Sequence, residues 1–231
     1  MGAATKIDTN LQGQKLGRKG RITRERILAV ARELIEEPGS GDFSISAVAR
    51  RADLRVSSIY NYFPDLTDLF VTVMEPVIRE SQVGYLSIIE SYWPDDELEQ
   101  KCDEFVGAFH SFWERNVRYL HLRNTLAQQH NPRVLSQRIN AARSVVGLLK
   151  VQMGAPDVND GEITQDMASV LYAGMERVVT IVTDEKLEAP YPPDIERSFG
   201  KRTLKQQARL LVLAIRAERT RRAERARRAE R

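Results

Sequence analysis

The stretch SISAVARRADLRVSSIYNYFPDLTDLF, residues 44–70, decides the fold of this chain. Its first part predicts a short helix capped by Ser44, because apolar residues recur at helical spacing from Ile45 to Val48. Asp53 then breaks the pattern. The turn at that position is expected to need a left-handed backbone, which Asp tolerates better than most residues.

A second short helix is predicted over about residues 55–62. Pro64 ends it, because proline lacks an amide donor and restricts the residue before it, and Asp65 can cap a third helix. Two short helices joined at a steep angle by a tight turn form a helix-turn-helix, whose second helix enters the DNA major groove. With a preceding helix over about residues 23–37, the stretch predicts a DNA-binding domain over residues 21–66.

These residues resemble the DNA-binding domain of the tetracycline-repressor (TetR/AcrR) family. The matching positions are Val48-Ala49, Ala52-Asp53-Leu54-Arg55, Ser57-Ser58, Ile59-Tyr60, Tyr62-Phe63 and Leu69-Phe70. Two positions depart from the family pattern. Asp53 stands where the family has a turn glycine, and Leu66 replaces a lysine that in the family touches a DNA phosphate.

The resemblance implies which side chains touch double-stranded DNA. Ser57, Ser58 and Asn61 lie where base edges are read, since Asn can pair with adenine and small serines let the helix enter deeply. Tyr60 and Tyr62 lie where phosphates are held. Further contacts are expected from Lys19, Arg21, Thr23, Ser44 and Arg55. For any one of these residues the alternative is a solvated helix face, and the complete motif favours DNA.

The composition of the 231 residues points to an all-α fold, because nearly every apolar pattern repeats at helical spacing. No stretch approaches the ~18 apolar residues of a membrane span, and the N-terminus lacks a signal-peptide core. A single cysteine, Cys102, fits a reducing cytoplasm. We therefore expect a cytoplasmic protein that needs no cofactor or metal and does not enter a membrane.

The net charge of +3 hides an asymmetry. Residues 1–26 carry seven Lys and Arg against two acids, and residues 215–231 carry eight Arg against three Glu, so each end has a net charge of +5. The remaining residues carry a net charge of −7. Basic ends on an acidic body suggest that the ends touch a polyanion, and DNA is the natural candidate.

Both termini allow two interpretations. Residues 1–20 are predicted to form a flexible basic arm, which either follows the DNA backbone and minor groove or serves as a disordered solubilising tail. Residues 216–231 form an Arg-rich tail that loses the apolar stripe of the preceding helix. We expect a solvated helical extension there, with non-specific DNA contact as the alternative.

Residues 67–215 are predicted to form a helical domain for effector binding and dimerisation. Pro76 is expected to kink or locally break its first long helix. The two long C-terminal helices each carry a wide apolar face, which fits a two-fold four-helix bundle in a homodimer, and the resemblance implies the same arrangement.

The resemblance also implies a small-molecule pocket in this domain. An aromatic wall with one or two polar anchors suits a largely apolar ligand. The candidate lining is Phe105, Phe109, His110, Trp113, Arg123, Asn124, Tyr172 and Met175. For each of these residues, ordinary core packing is the alternative interpretation, and no feature identifies the ligand.

The leading interpretation is a dimeric, sequence-specific transcription regulator, in the family's usual mode a repressor released from its operator by a small ligand. A DNA-binding regulator without an effector is the first alternative. A helical enzyme or ligand carrier is the second, and it is disfavoured because the sequence has no His-Glu-x-x-His motif, Gly-rich phosphate loop or nucleophile elbow.

Overall fold

The computed structural model describes residues 16–37, 43–155, 164–184 and 193–231, and within these ranges the chain forms ten α-helices and no strand. The all-α prediction is confirmed. The helices are α1 (Arg18–Glu36), α2 (Ile45–Arg51), α3 (Val56–Ile59), α4 (Leu66–Ser81), α5 (Ser87–Ile89), α6 (Leu98–Arg115), α7 (Val117–Gln128), α8 (Pro132–Gln152), α9 (Thr164–Val182) and α10 (Pro193–Ala229). Residues 1–15 of the predicted arm lie outside the described residues.

The helices group into two compact units. The first unit contains the chain up to Ile78 together with residues 122–135, and the second contains residues 79–121 and 136–231. The first unit extends beyond residues 21–66, because it includes the start of α4 and the corner between α7 and α8.

Helix α1 begins at Arg18, earlier than the predicted start at Thr23. Leu16 is nearly buried, and its side chain lies where a Cβ on Gly20 would meet it at 3.0 Å, so a side chain at position 20 would crowd this first turn. The prediction of a flexible arm up to residue 20 is therefore wrong for residues 18–20, which are helical.

The core of the first unit follows the predicted apolar stripes. Ile27 and Ala31 on α1 are fully buried, as are Ile59 at the end of α3 and Phe63 just after it. The ring of Phe43 meets Phe70 edge-on, with 6.2 Å between centroids. Helices as short as α2 and α3 are not stable alone, so their stability comes from these buried side chains and from the packing of α2 on α1 and α3.

The break in the long helix that begins at Leu66 is not at Pro76. Helix α4 continues through Pro76 to Ser81. A π-helical turn over Gln82–Leu86 follows, and its backbone leaves the helical region at Gly84 (φ −94°, ψ −119°). Proline within a helix removes one amide donor, whereas glycine permits backbone angles that other residues avoid, so the irregular backbone falls at the glycine.

A fully buried glutamine organises the loop before α6. The backbone N–H of Trp93 donates to Oε1 of Gln152 at 2.9 Å. The side-chain amide of Gln152 donates in turn to the carbonyl oxygens of Ile89 (3.0 Å) and Ser91 (2.9 Å). One side chain from the last turn of α8 therefore satisfies three backbone groups of a loop that has no regular hydrogen bonding.

The Arg-rich tail is helical, and it is exposed over residues 223–231, as predicted, but its start is anchored at Arg219 and is not solvated there. Helix α10 continues to Ala229, and the guanidinium of Arg219 donates to the carbonyl oxygens of Gln152 and Trp93, each at 2.8 Å. It also pairs with Asp95 and lies 4.4 Å from the ring centroid of Tyr92. The apolar stripe of α10 ends before this point, and Arg219 packs here because its partners are loop carbonyl oxygens and an aromatic ring.

The thiol of Cys102 is fully buried on α6. Burial raises its pKa from 9.0 to about 12, and the nearby carboxylate of Asp103 adds to the effect. Because the thiolate is the nucleophile, its fraction at a given pH falls roughly 1000-fold. We expect native Cys102 to resist iodoacetamide at mildly alkaline pH and to react readily in guanidinium chloride, as mass spectrometry would show. Equal alkylation rates in the two conditions would contradict this placement.

Candidate nucleic-acid interface

The turn between α2 and α3 has the predicted geometry. Asp53 adopts a left-handed backbone with φ 50°, which confirms the expectation from its position. The amide of Leu54 donates to the carbonyl oxygen of Ala49 at 2.9 Å, which closes the turn. At the other end of α2, the hydroxyl oxygen of Ser44 accepts the amide of Ala47 at 3.2 Å, so Ser44 is the predicted cap.

Helix α3 is shorter than the predicted span of residues 55–62. It covers Val56–Ile59, and a tighter turn follows in which the amides of Tyr62 and Phe63 both donate to the carbonyl oxygen of Ile59 (2.9 and 3.0 Å). Pro64 lies immediately beyond this turn. Here we call α3 and residues 60–62 together the recognition element.

The recognition element exposes the side chains that the motif assigned to DNA. Arg55, Ser57, Tyr60 and Asn61 are exposed, and Ser58 and Tyr62 are half-buried. The buried side chain of Ile59 fixes which face points outwards. Hydroxyl and carboxamide groups on this face can donate to base edges and phosphate oxygens.

The first two turns of α1 carry the remaining predicted DNA contacts. Lys19 and Arg21 are exposed there, and Thr23 is half-buried. The hydroxyl of Thr23 donates to the carbonyl oxygen of Lys19 at 3.0 Å. Thr23 must therefore release this hydrogen bond before its hydroxyl can donate to a phosphate.

Two arginines near the recognition element were missed from the sequence. Arg24 is buried, and its guanidinium lies 5.2 Å from the ring centroid of Phe63, so it packs α1 on the end of the recognition element. Arg24 lies three residues before buried Ile27, so helical spacing was a usable signal. Arg50 is exposed at the last turn of α2 and has no acidic partner in the described ranges. Neighbouring Arg51 instead pairs with Glu33 and Glu37.

The candidate ligand-binding residues divide between the two units. In the second unit, Phe109 contacts the rings of Phe105, Trp113 and Tyr172 at centroid distances of 6.3–6.4 Å. These rings and Met175 are buried. A ligand that binds among these rings therefore competes with their contacts to one another.

The polar candidates have other partners. Nδ1 of His110 lies 3.4 Å from the carboxylate of Glu114 on the next turn of α6. Arg123 and Asn124 belong to the first unit, where the guanidinium of Arg123 donates to Oδ1 of Asn124 at 3.2 Å. The sequence pattern placed these residues in one pocket, whereas Arg123 and Asn124 belong to the first unit and the other candidates belong to the second.

Large apolar side chains are exposed on the outer faces of α9 and α10. Val170 is 68% exposed, and Leu210 and Leu213 are 52% and 56% exposed. A groove of about 400 Å³ lies beside this surface, between α6 and α10, with carboxylates of Glu99 and Asp103 on one wall.

Among the described residues, no helix combines the length and the apolar character that crossing a membrane requires.

Comparison with known proteins agrees with this geometry. Residues 27–73, which contain α2, α3 and the start of α4, match the tetR family of bacterial regulatory proteins. The HTH-type transcriptional regulator AcrR of Shigella flexneri is 31% identical over 86 residues, which are 37% of this chain and 39% of that protein. The chain thus matches about two fifths of the length of this relative.

Two solved structures share the fold over most of the chain. A transcriptional regulator of the AcrR family from Aquifex aeolicus VF5 has a TM-score of 0.51 at 16% identity, covering 82% of this chain and 99% of that one. A TetR-family protein from Mesorhizobium loti MAFF303099 has a TM-score of 0.52 at 18% identity, covering 87% and 98%. At these identities the likeness concerns the fold.

Proposed function

We propose that this chain is a homodimeric, sequence-specific DNA-binding regulator of the TetR/AcrR family, whose family model its residues 27–73 match. The observation that carries the proposal is the helix-turn-helix of α2 and α3, with Asp53 in the left-handed turn and polar side chains exposed on the recognition element. The family is one of regulators, so we propose no enzymatic reaction. Contact with operator DNA implies a cytoplasmic location.

We propose that four segments divide the work. Residues 1–20 contain a basic arm for the DNA backbone, and residues 21–66 read the operator. Residues 67–215 bind the effector and dimerise, and residues 216–231 extend the last helix with an Arg-rich tail. The positive charge of both ends supports sequence-independent attraction to DNA.

Within the operator complex, Ser57, Ser58 and Asn61 read base edges. Phosphates are held by Tyr60 and Tyr62, supported by Lys19, Arg21, Thr23, Ser44 and Arg55. Arg50 joins this set, because it is exposed beside the turn and its charge is not neutralised by a described acid. Phosphate contacts set the register, and base contacts supply the sequence preference.

The homodimer is supported by the exposed apolar faces of α9 and α10. Leucine and valine side chains more than half exposed on neighbouring long helices leave an apolar surface that a second copy would bury. Two such pairs form a two-fold four-helix bundle, which presents two recognition elements to successive major grooves.

We further propose that a small, largely apolar ligand releases the operator. Support comes from the aromatic cluster of Phe105, Phe109, Trp113 and Tyr172, which lies in the same unit as His110 and buried Met175. Such a ligand acts by favouring a state of the dimer that fits the operator less well. A regulator without an effector is the alternative, and a thermal shift with some small molecule distinguishes the two.

The proposal is tested by selecting bound sequences from a random duplex pool. We expect a near-palindrome whose half-sites lie about one helical turn apart. Asn61→Ala is expected to relax one position in each half-site and to weaken operator binding by about 1–3 kcal/mol. Asn140→Ala is the matched control, because Asn140 is exposed on α8 and is outside the proposed interface.

Enrichment of no sequence at all would refute sequence-specific binding. An Asn61→Ala variant that selects the same operator with unchanged stringency would instead refute the role of Asn61. The substitution of both Lys19 and Arg21 by Ala should weaken all duplexes alike and reduce the salt dependence of binding.

A further inference from the structure

The start of α4 and the start of α8 are each capped by a side chain. Oδ1 of Asp65 accepts the amide of Asp68 at 2.8 Å, which caps α4. Oδ1 of Asn131 accepts the amide of Val134 at 3.2 Å, which caps α8. Both caps belong to the first unit.

The second polar atom of each cap reaches the first turn of the other helix. The side-chain amide of Asn131 donates to the hydroxyl oxygen of Thr67 at 2.6 Å. Oδ2 of Asp65 accepts from the guanidinium of Arg133, whose other terminal nitrogen lies 3.4 Å from Asp68. We call Asp65, Thr67, Asp68, Asn131 and Arg133 the cap clasp.

The charges of the cap clasp favour this arrangement. Burial raises the pKa of Asp65, but the amide of Asp68 and the guanidinium of Arg133 outweigh it, so the pKa is lowered overall. Burial raises the pKa of Asp68, and Asp65 adds to the rise despite the opposing charge of Arg133. Asp65 therefore stays ionised further into acid than Asp68 does, and its ion pair with Arg133 persists with it.

The cap clasp lies directly after the recognition element. Phe63 is fully buried, and Pro64 connects it to the cap Asp65. Leu69 and Phe70, within the first turns of α4, are fully buried as well. Any shift of this part of α4 is therefore transmitted through a short, packed segment to Ile59 and the exposed side chains beside it.

We propose that the cap clasp is a positioning device for DNA recognition, which holds the first turn of α4, and through it the recognition element, against the start of α8. The proposal rests on the proposed function, because it requires an operator. Arg133 and Asn131 are positioning residues in this scheme, since they act through α4 and not by touching DNA.

Physical magnitudes separate this role from a role in folding. Ion pairs between exposed side chains stabilise a fold weakly, and Arg133 is about half exposed. Specific recognition, in contrast, requires side chains held closely to the productive geometry. Loss of the clasp should therefore weaken operator binding far more than it lowers the melting temperature.

The test uses the full chain with Thr67→Val, Arg133→Met and the double variant. Thr67→Val removes only the hydroxyl partner of Asn131 and leaves both caps and all charges intact. Arg143→Met is the matched control, an exposed arginine further along α8 with no acidic partner in the described ranges. Dissociation constants are measured for the selected operator and for a duplex of unrelated sequence, alongside Tm.

We expect the double variant to bind the operator about tenfold more weakly, while its affinity for unrelated DNA and its Tm stay close to those of the control. Arg133→Lys should recover part of the loss, since it keeps the charge opposite Asp65. If the wild-type chain binds no operator, the proposed function fails, and this inference fails with it. If wild type binds and the variants bind equally well, only the inference fails. Parallel losses in operator binding, unrelated DNA binding and Tm would assign the clasp to folding and overturn it.

Discussion

Phe63→Ala is expected to abolish operator binding while the second unit stays folded. Phe63 has no exposed surface, and removal of a buried phenyl ring costs about 3–5 kcal/mol. It also removes the ring that Arg24 packs against and loosens the segment that joins the recognition element to α4. A loss of this size is a large share of the stability of a small domain.

The positions of the two tryptophans allow the unfolding of the two units to be measured separately. Trp93 and Trp113 both belong to the second unit, so tryptophan fluorescence follows that unit, whereas circular dichroism follows all helices. We expect Phe63→Ala to lose helical signal at lower temperature than it loses native fluorescence. Ile22→Ala is the control, because Ile22 is 61% exposed on α1. Normal operator affinity in Phe63→Ala would show that the recognition element does not depend on this core.

Gln152→Leu should lower the free energy of unfolding of the second unit by at least about 3 kcal/mol, about 1 kcal/mol or more for each of three unsatisfied backbone groups. The substitution conserves volume closely but leaves the amide of Trp93 and the carbonyls of Ile89 and Ser91 without their partner. Each unsatisfied buried group costs about 1–3 kcal/mol. Because Gln152 has no exposed surface, water cannot replace the lost bonds without opening the loop.

Urea unfolding followed by tryptophan fluorescence measures this loss, since the N–H of Trp93 is one of the lost contacts. Gln100→Leu on the exposed face of α6 is the control and should change the midpoint little, because its amide bonds only to the exposed carboxylate of Glu104. Equal midpoints for Gln152→Leu and wild type would mean that the loop finds other partners.

Structural features that depend on a local sequence pattern were predicted correctly. The stripe of Ile27 and Ala31 gave the buried face of α1, and the spacing around Asp53 gave the left-handed turn. The errors of prediction were at boundaries. Helix α3 ends at Ile59 because the turn before Pro64 tightens, and Arg18 joins α1, although glycines on both sides of it suggested an arm.

Contacts between distant residues had no such signal. Gln152 bonds to residues about 60 positions earlier, and Arg219 bonds to a carbonyl 126 positions earlier. A lone Gln near a helix end or an Arg in a charged tail has no periodicity that indicates its partner. The sequence predicted that Asp65 caps α4. It did not predict the bond from Arg133 to the other carboxylate oxygen of Asp65, because only the folded chain brings α8 beside that residue.

The burial of Cys102 has a practical consequence for following the proposed regulator in action. A native chain without a reactive thiol accepts a single new cysteine as its only labelling site, and no existing residue has to be removed. Ile22→Cys, exposed on α1, could carry a nitroxide spin label in each copy of a dimer. Electron–electron double resonance between the two nitroxides would then report the separation of the DNA-binding domains directly, with operator, with a candidate ligand, and with neither.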